Sequence, residues 1–338
     1  MDQMHNTYGD HFTLTVFGAS HAEKIGVRIS GLAAGTRIDR DELQAFMERR
    51  APGRDRYSTA RREPDQVVFE TGVDEDGTVT GGEICAVIYN TNVRRRDYDA
   101  LKDIPRPGHA DLTARLRYGK DMDMSGGGPF SGRMTAPLCI AGGIALQILK
   151  ERGIEIYAEP VMIGGKEDPE EMRKAIDAAR AAGDSVGGVI ACTAEHVPAG
   201  IGDPMFGGIE NRIAQIVFGI PAVKGIEFGA GFEAARMRGS EHNDPFYYDG
   251  DGQIVTATNH AGGILGGITD GMPVTFRTAF KPTPSIGIEQ DSVDLAAGQD
   301  AKLKIEGRHD PCIVLRAVPV VEAACACALL DALLEIEK

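Results

Sequence analysis

The chain has 338 residues and a formal net charge of −14, so it is long enough to bury a large core and too acidic for a nucleic-acid-binding surface. No uninterrupted apolar run reaches the ~18 residues that a membrane helix needs, and we expect no membrane span. The polar, acidic N-terminus MDQMHNTYGD is unlike a signal peptide. Six dispersed cysteines predict reduced, buried thiols of a cytoplasmic protein rather than a disulfide framework or a zinc site.

Short strands and one helix are predicted for the first quarter of the chain. Segments of β-branched and aromatic residues between turn formers predict strands. These segments are residues 11–18, 26–32, 66–73 and 83–89. A helix is predicted from Asp39 to Arg50, because Asp41 and Glu42 lie in its first turn, where the helix dipole favours acidic side chains.

Arginines are concentrated in the segment that follows this helix. Six of them lie between Arg49 and Arg62, and the turn formers of APGRDRYSTARREPD indicate a loop. A guanidinium binds a carboxylate or phosphate through two hydrogen bonds, so such a loop suits a small polyanion. A second run, Arg94 to Arg96, is equally consistent with a solvated surface.

A histidine and a triple glycine mark the centre of the chain. His109 lies in the bend PRPGH, where proline fixes φ and glycine adopts conformations that other residues avoid, so the bend can aim the imidazole. The segment SGGGPFSGR, residues 125–133, can offer backbone N–H groups to a flat or anionic ligand. The uncharged stretch after it predicts a buried helix from Met134 to about Glu151, whose N-terminus attracts anions.

Strands and helices alternate again in the second half. Helices are predicted over Asp168–Ala182 and residues 207–218. Strands are predicted in IEIYAEPVMIGG, GGVIACTAEHV, AVKGIEF and residues 272–281. This order predicts a split βαβ unit. Residues 229–252 are irregular but contain five large apolar side chains, which favours an active-site flap over disorder.

A second nearly uncharged helix is predicted from about Ala317. Both apolar helices follow a loop with glycine and arginine, and in both a proline comes three or four residues after an arginine, as in Arg133 with Pro137 and Arg316 with Pro319. The shared pattern predicts pseudo-repeated halves, with the two helices packed together through small residues and covered by a sheet on each side.

No common nucleotide-binding motif is present. GGILGG lacks the spacing of a dinucleotide fingerprint, and GGGPFSGR does not end in the Gly-Lys-Ser/Thr of a P-loop. Each candidate site residue also has a structural explanation: His21 and His109 as packing residues, Asp310 as a turn residue before Pro311. Taken alone, the residues predict an anion-binding α/β or α+β enzyme.

Six blocks, in order over roughly 300 residues, resemble chorismate synthases, which is more specific than any short motif. These blocks are FGASHAEKIGV, IPRPGHADLT, GIPAVKGIEFGAGFEAARMRGSEHND, NHAGGILGGITDGMP, KPTPSI and GRHDPCIVLRAVPVVEA. The resemblance implies an α+β fold in which buried helices are sandwiched between antiparallel β-sheets, in pseudo-repeated halves. It further implies a single domain over residues 1–338 and a homotetramer.

The activity implied by the resemblance is a 1,4-elimination of phosphate from 5-enolpyruvylshikimate 3-phosphate, which gives chorismate. This reaction is the last common step of the shikimate pathway to the aromatic amino acids and has no net redox change. The family nonetheless needs reduced FMN (FMNH2), which lends an electron as the C–O bond breaks and recovers it as the hydrogen leaves. We expect an external source of reduced flavin, and the sequence leaves open whether the protein reduces its own flavin with NADPH.

The resemblance also assigns roles to residues of this chain. His109 would protonate the leaving phosphate, His21 would donate a proton to the reduced flavin, and Asp310 would assist deprotonation through the flavin N5. The residues implied for the substrate anions or the flavin phosphate are Arg56, Arg61, Arg106, Arg133 and Arg308. The flavin contacts implied are Phe130, Ser131, Gly132, Asn259, Gly267, Lys281, Thr283 and Ser285, with Arg308 again.

The chain departs from the commonest family pattern at several positions. Ala19 and Ala22 replace residues of the family motif FGESHG, and further departures are Ala51, Pro129-Phe130 and Leu315. Two other functions stay open at this point. A flavin-dependent NAD(P)H oxidoreductase fits the glycine-rich loops, although no nicotinamide fingerprint is present. A catalytically inactive anion-binding protein is disfavoured by the retained His21, His109, Arg308 and Asp310.

Overall fold

The computed structural model describes residues 4–51, 65–90, 103–305 and 310–337. Its helices are α1 (Arg40–Arg50), α2 (Asp111–Tyr118), α3 (Thr135–Glu151), α4 (Pro169–Ala182), α5 (Ile209–Phe218), α6 (Gly239–His242) and α7 (Val314–Ile336). The predicted helices are confirmed as α1, α3, α4, α5 and α7. Asp39 caps α1, since its carboxylate accepts hydrogen bonds from the backbone of Asp41 and Glu42, both at 2.9 Å.

The first half of the chain forms a five-stranded antiparallel sheet. Its strands are β1 (Thr7–Tyr8), β2 (Thr13–Phe17), β3 (Lys24–Ser30), β4 (Val68–Thr71) and β5 (Ile84–Tyr89). They lie in the order β1-β2-β3-β5-β4. The four predicted strands of this half correspond to β2 to β5. One face of the sheet is covered by α3, which contacts β2, β3 and β5.

The second half forms a four-stranded sheet. Its strands are β6 (Glu155–Ile163), β7 (Gly188–Glu195), β8 (Val223–Phe228) and β13 (Val274–Phe280), in the order β6-β7-β13-β8. β7 and β8 are both antiparallel to β13, which lies between them. They are therefore parallel to each other and connected through α5, which confirms the predicted split βαβ unit.

Three short hairpins complete the described strands. They pair β9 (Phe246–Tyr248) with β10 (Ile254–Thr256), β11 (Ile264–Leu265) with β12 (Ile268–Thr269), and β14 (Gln290–Asp294) with β15 (Gln299–Leu303). The segment predicted as irregular, residues 229–252, thus contains a 3₁₀ turn, α6 and β9. Its aromatic side chains are exposed, Phe232 and Tyr248 among them. Sequence patterns missed β14 and β15 because these strands are polar on both faces.

The two long apolar helices form the centre of the molecule. α3 and α7 pack against each other; α3 also contacts β2, β3 and β5, while α7 contacts β6 and β7. The predicted arrangement of buried helices between antiparallel sheets is confirmed. By length and composition, Gly132–Glu151 and Val314–Ile336 could each cross a membrane, but 89% of the apolar window in each is buried inside the protein. They are core helices.

Close contact between α3 and α7 depends on a glycine. A Cβ placed on Gly142 of α3 would lie 2.2 Å from the Cβ of Ala323 on α7, and 2.3 Å from its Cα. Real carbon atoms do not approach so closely, so the two helix backbones touch at this point.

We predict that Gly142→Ala lowers the free energy of unfolding by about 1–3 kcal/mol, the usual cost of overpacking. The clash is with backbone as well as side chain, so it outweighs the ~1 kcal/mol that alanine gains over glycine in a helix. Chemical denaturation measures the difference. The matched control is Gly239→Ala, where an added Cβ meets nothing within 4 Å. Equal stabilities of the two variants would contradict close packing at Gly142.

Candidate active site

The His109 imidazole is held by a carboxylate two residues further along the chain. His109 Nδ1 lies 2.7 Å from Asp111 Oδ1. Arg106 donates to the same carboxylate from Nε at 2.7 Å, from Nη2 at 2.7 Å and from its backbone N–H at 3.0 Å. The bend that brings the three together is closed by a hydrogen bond from His109 N to Arg106 O at 3.2 Å.

Asp111 stays ionised in this arrangement. Burial acts to raise the pKa of its carboxyl, but hydrogen bonds from Arg106 and His109, with their positive charge, outweigh burial and hold the pKa well below its usual range. A depressed folded-state pKa contributes stability at neutral pH that is lost as the pH falls below the unfolded value near 4. The carboxylate is therefore a permanent anion beside His109 at neutral pH.

The glycine loop lies against both predicted catalytic histidines. Gly126, Gly127 and Gly128 all have positive φ, at 62°, 89° and 54°, a region that glycine enters freely. A Cβ on Gly126 would lie 2.7 Å from His21 Nε2, and one on Gly127 would lie 3.3 Å from His109 Nε2. Side chains are excluded here, and the loop brings His21 and His109 to one place.

Arg133 is buried in a network beneath this loop. Its Nη1 pairs with Asp65 Oδ1, while its Nε and Nη2 donate to Asn90 Oδ1 at 3.2 and 3.1 Å. The other oxygen of Asp65 pairs with Arg50, which is buried as well. Asn90 in turn donates to the carbonyl of Ala22 at 2.7 Å. The network thereby fixes the turn that carries His21.

Asp310 is held by an arginine of α7. Arg316 Nη1 donates to Asp310 Oδ2 at 2.6 Å, and Arg316 Nε donates to the carbonyl of Arg50 at 3.2 Å. The cap position of α7 is Ile313, without a side-chain cap. Asp310 is therefore not the N-cap of that helix, and its carboxylate is oriented by Arg316.

The segment KPTPS, residues 281–285, forms one wall beside the bend that carries His109. Arg106 Nη1 donates to Ser285 Oγ at 3.2 Å. A cavity of about 340 Å³ lies between the bend and this segment, and Gly108, Lys281 and Thr283 are among its lining residues. Burial, with the positive charge of Lys224, lowers the pKa of Lys281. A bound anion would offset both effects.

Two further hydrogen bonds connect Asp310 to this wall. Ser185 Oγ donates to the carbonyl of Thr283 at 2.7 Å, and the next residue, Val186, donates its N–H to the carbonyl of Pro311 at 2.8 Å. We call the connected set the site rim; it is defined by His21, the loop Ser125–Phe130, His109, KPTPS and Asp310.

The remaining predicted residues are placed as follows. Phe130 packs against Tyr118 with ring centroids 6.4 Å apart, and Ser131 accepts a hydrogen bond from Arg133 N at 3.3 Å. Asn259 donates to the carbonyl of Pro273 at 2.8 Å. Gly267 packs against Asp203 and Gly208 at the start of α5, where its carbonyl accepts from Ile209 N. Gly132 is exposed beside Arg133. The predicted residues Arg56, Arg61 and Arg308 lie outside the described ranges.

The family model of chorismate synthase matches residues 12–334. The chain belongs to the chorismate synthase family. Relatives named chorismate synthase are 45% identical in Lancefieldella parvula, covering 98% of this chain and 96% of the relative, and 46% identical in Chitinophaga pinensis, covering 97% and 96%. A solved structure titled as the crystal structure of chorismate synthase matches with a TM-score of 0.75 at 28% identity, covering 97% of this chain and 93% of that one.

The family match and the solved structure confirm the resemblance and the α+β fold that the sequence predicts. A further relative named chorismate synthase, from Methanocaldococcus jannaschii, is 41% identical over 98% of this chain and 96% of its own length. These comparisons support neither the NAD(P)H oxidoreductase nor the inactive anion-binding protein.

Sequence reasoning missed four residues that hold the site together: Asp65, Asn90, Asp111 and Arg316. Asp111 had a local signal, because it follows His109 by two residues in PGHAD. Arg316 and Asp310 both stand out in the sequence, but their pairing was not predicted. Asp65 and Asn90 gave no signal, since their partners are far away in sequence.

We predict that Asp65→Asn destabilises the fold by about 3–5 kcal/mol, because removing one partner leaves buried charge uncompensated. Burial already lowers the pKa of Arg50, and the Asp65 charge opposes this shift. The control is Asp177→Asn, which removes an exposed partner of Arg180 and should cost at most about 1 kcal/mol. Denaturant unfolding compares the two, and similar losses would contradict a bridging role for Asp65.

Proposed function

We propose that this chain catalyses the 1,4-elimination of phosphate from 5-enolpyruvylshikimate 3-phosphate to give chorismate, as a carbon–oxygen lyase. The observation that carries the proposal is the site rim: His21 and His109 lie against one glycine loop, and Asp310 is connected through Pro311 and Val186 to the KPTPS wall beside His109. The reaction breaks one C–O and one C–H bond, so it needs a proton donor for the phosphate and an acceptor for the departing proton.

Positive charge at the rim fits this polyanionic substrate. Asp65 is shared by Arg50 and Arg133, and Asp111 is shared by Arg106 and His109. The Asp65 group has one surplus positive charge. The Asp111 group has one as well when His109 is protonated. Lys281 adds another on the KPTPS wall. In a chain of net charge −14, this concentration favours anions at the rim. We propose that Arg106, with Arg56, Arg61 and Arg308, holds the substrate anions, and that Arg133, buried beneath the glycine loop on Asp65 and Asn90, attracts them through its charge.

His109 is the proposed general acid. Its Nδ1 faces Asp111, so the proton to be transferred resides on Nε2, the atom that faces the glycine loop. Protonating the departing phosphate oxygen neutralises charge as it develops, which is the function of a general acid. The carboxylate of Asp111 compensates the imidazolium charge before transfer.

Buried polar atoms on the described residues fit a bound flavin. Asn259 Oδ1, Thr283 Oγ1 and Asp310 Oδ1 are buried and have no hydrogen-bond partner within the described ranges. Such atoms are costly unless a ligand or water satisfies them. Asn259 and Thr283 are predicted flavin contacts, and Asp310 is the residue predicted to act through the flavin N5. The other predicted contacts in the described ranges are Phe130, Ser131, Gly132, Gly267, Lys281 and Ser285. Reduced FMN, when bound, supplies the transient electron that lets the C–O bond break.

Two residues handle the remaining protons in this proposal. His21, buried against Gly126, donates to the flavin side of the site. Asp310 presents Oδ1 while Arg316 holds Oδ2, so one oxygen is available to accept or relay the proton that leaves the substrate.

Reduced flavin comes from an external reductant. A homotetramer stays a prediction; the exposed aromatic side chains of β9 support burial between subunits.

We predict turnover only with reduced FMN, because oxidised flavin has no electron to lend. The test is an anaerobic assay with 5-enolpyruvylshikimate 3-phosphate, following the absorbance of chorismate. Parallel samples contain oxidised FMN, no flavin, or NADPH without added reductant. Equal rates with oxidised FMN or without flavin would contradict the proposal.

A further inference from the structure

We propose that Asp111 is the positioning residue of His109: it fixes the ring orientation, keeps the neutral imidazole in the Nδ1–H tautomer and stabilises the imidazolium. The inference rests on the proposed function, in which His109 donates a proton from Nε2. It begins from one contact, the 2.7 Å distance between His109 Nδ1 and Asp111 Oδ1.

The carboxylate itself is immobilised. Arg106 donates to it through Nε, Nη2 and the backbone N–H, at 2.7, 2.7 and 3.0 Å. Arg106 is held in turn by Ser285, at 3.2 Å, and the backbone of Asp111 begins α2. A carboxylate fixed from three directions constrains the ring that is bonded to it.

Donor chemistry assigns the proton. Arg106 carries only donors, so Asp111 must accept from it, and an ionised carboxylate accepts from His109 as well. Nδ1 therefore carries the hydrogen in the neutral ring. Arg106 Nη2 also lies 3.1 Å from Nδ1, but it is a donor and cannot accept the Nδ1 hydrogen.

The charges around the ring are few among the described residues. Asp111 and Arg106 lie on its Nδ1 side, while the loop Ser125–Phe130 on its Nε2 side carries no charged side chain. The other titratable group at this loop is His21, which lies against Gly126. The carboxylate is thus the anion that can stabilise protonated His109. Its removal also leaves the positive charge of Arg106 unopposed beside the ring.

The variant Asp111→Asn tests the positioning role of Asp111 separately from a structural role at the start of α2. Arg106 donates to both oxygens, and its Nε and backbone N–H converge on Oδ2. The amide oxygen will take that position, which turns the amide N–H₂ toward His109 Nδ1 and forces the Nε2–H tautomer. The matched control is Asp103→Asn, which removes a partly exposed partner of Arg115 outside the site rim.

Two measurements on the full chain test the proposal. Histidine-selective ¹⁵N NMR of the flavin-free protein, with His109 assigned by the loss of its signals in His109→Gln, reports the tautomer. The pH dependence of kcat with reduced FMN reports the general acid. For Asp111→Asn we expect the Nε2–H tautomer and a kcat that is ~10–100-fold lower, the loss seen when metal-bound histidines lose their carboxylate partners. We also expect the alkaline limb of the pH profile to move to lower pH. Asp103→Asn should match the wild type.

A wild-type His109 that is Nε2–H when neutral would overturn the proposal, whatever the Asp111→Asn variant shows. A lower kcat in Asp111→Asn with the wild-type tautomer and pH profile would also overturn it, because the role would then be structural. Failure of the wild-type chain to form chorismate would instead overturn the proposed function, while the tautomer still decides the role of Asp111.

Discussion

The structure depends on a single buried carboxylate, that of Asp65, which lies between two buried arginines. It joins Arg50, at the end of α1, to Arg133, at the start of α3. Removing three ions from water is costly, and mutual pairing with good geometry compensates much of that cost. Through Asn90, the same network reaches the turn of His21. Core packing and site geometry therefore both depend on this buried ionic network.

Both central helices, α3 and α7, are connected to this buried ionic network. Arg133 precedes α3 by two residues, Arg316 lies in the first turn of α7, and both are connected to Arg50, one through Asp65 and the other through its backbone carbonyl. Contact between Gly142 and Ala323 fixes the spacing of the helices. Because the helices are rigid and close-packed, the residues before their first turns, the glycine loop and Asp310, are held at the same rim.

Local patterns predicted most of the fold. Periodicity and caps gave five helices, as with Asp39 and Asp168, because those signals lie within a few residues of each other. The hairpin β14–β15 was missed because the half-buried face of β14 carries polar residues, such as Gln290 and Ser292, and so leaves no apolar alternation. Family motifs predicted the site histidines, but the partners Asp65 and Asn90 could not be predicted, because their contacts cross 15 to 70 residues of sequence. Residue pairing across such distances is set by the fold.

The most direct test of the account is the split between binding and turnover in His109→Ala. Substrate affinity, measured by calorimetry, should stay near the wild-type value because cationic side chains hold the anions. The anaerobic rate with reduced FMN should fall ~10²–10⁴-fold, the usual contribution of a general acid. The exposed His5→Ala serves as the control. Unchanged turnover with weakened binding would contradict the account and make His109 a substrate ligand.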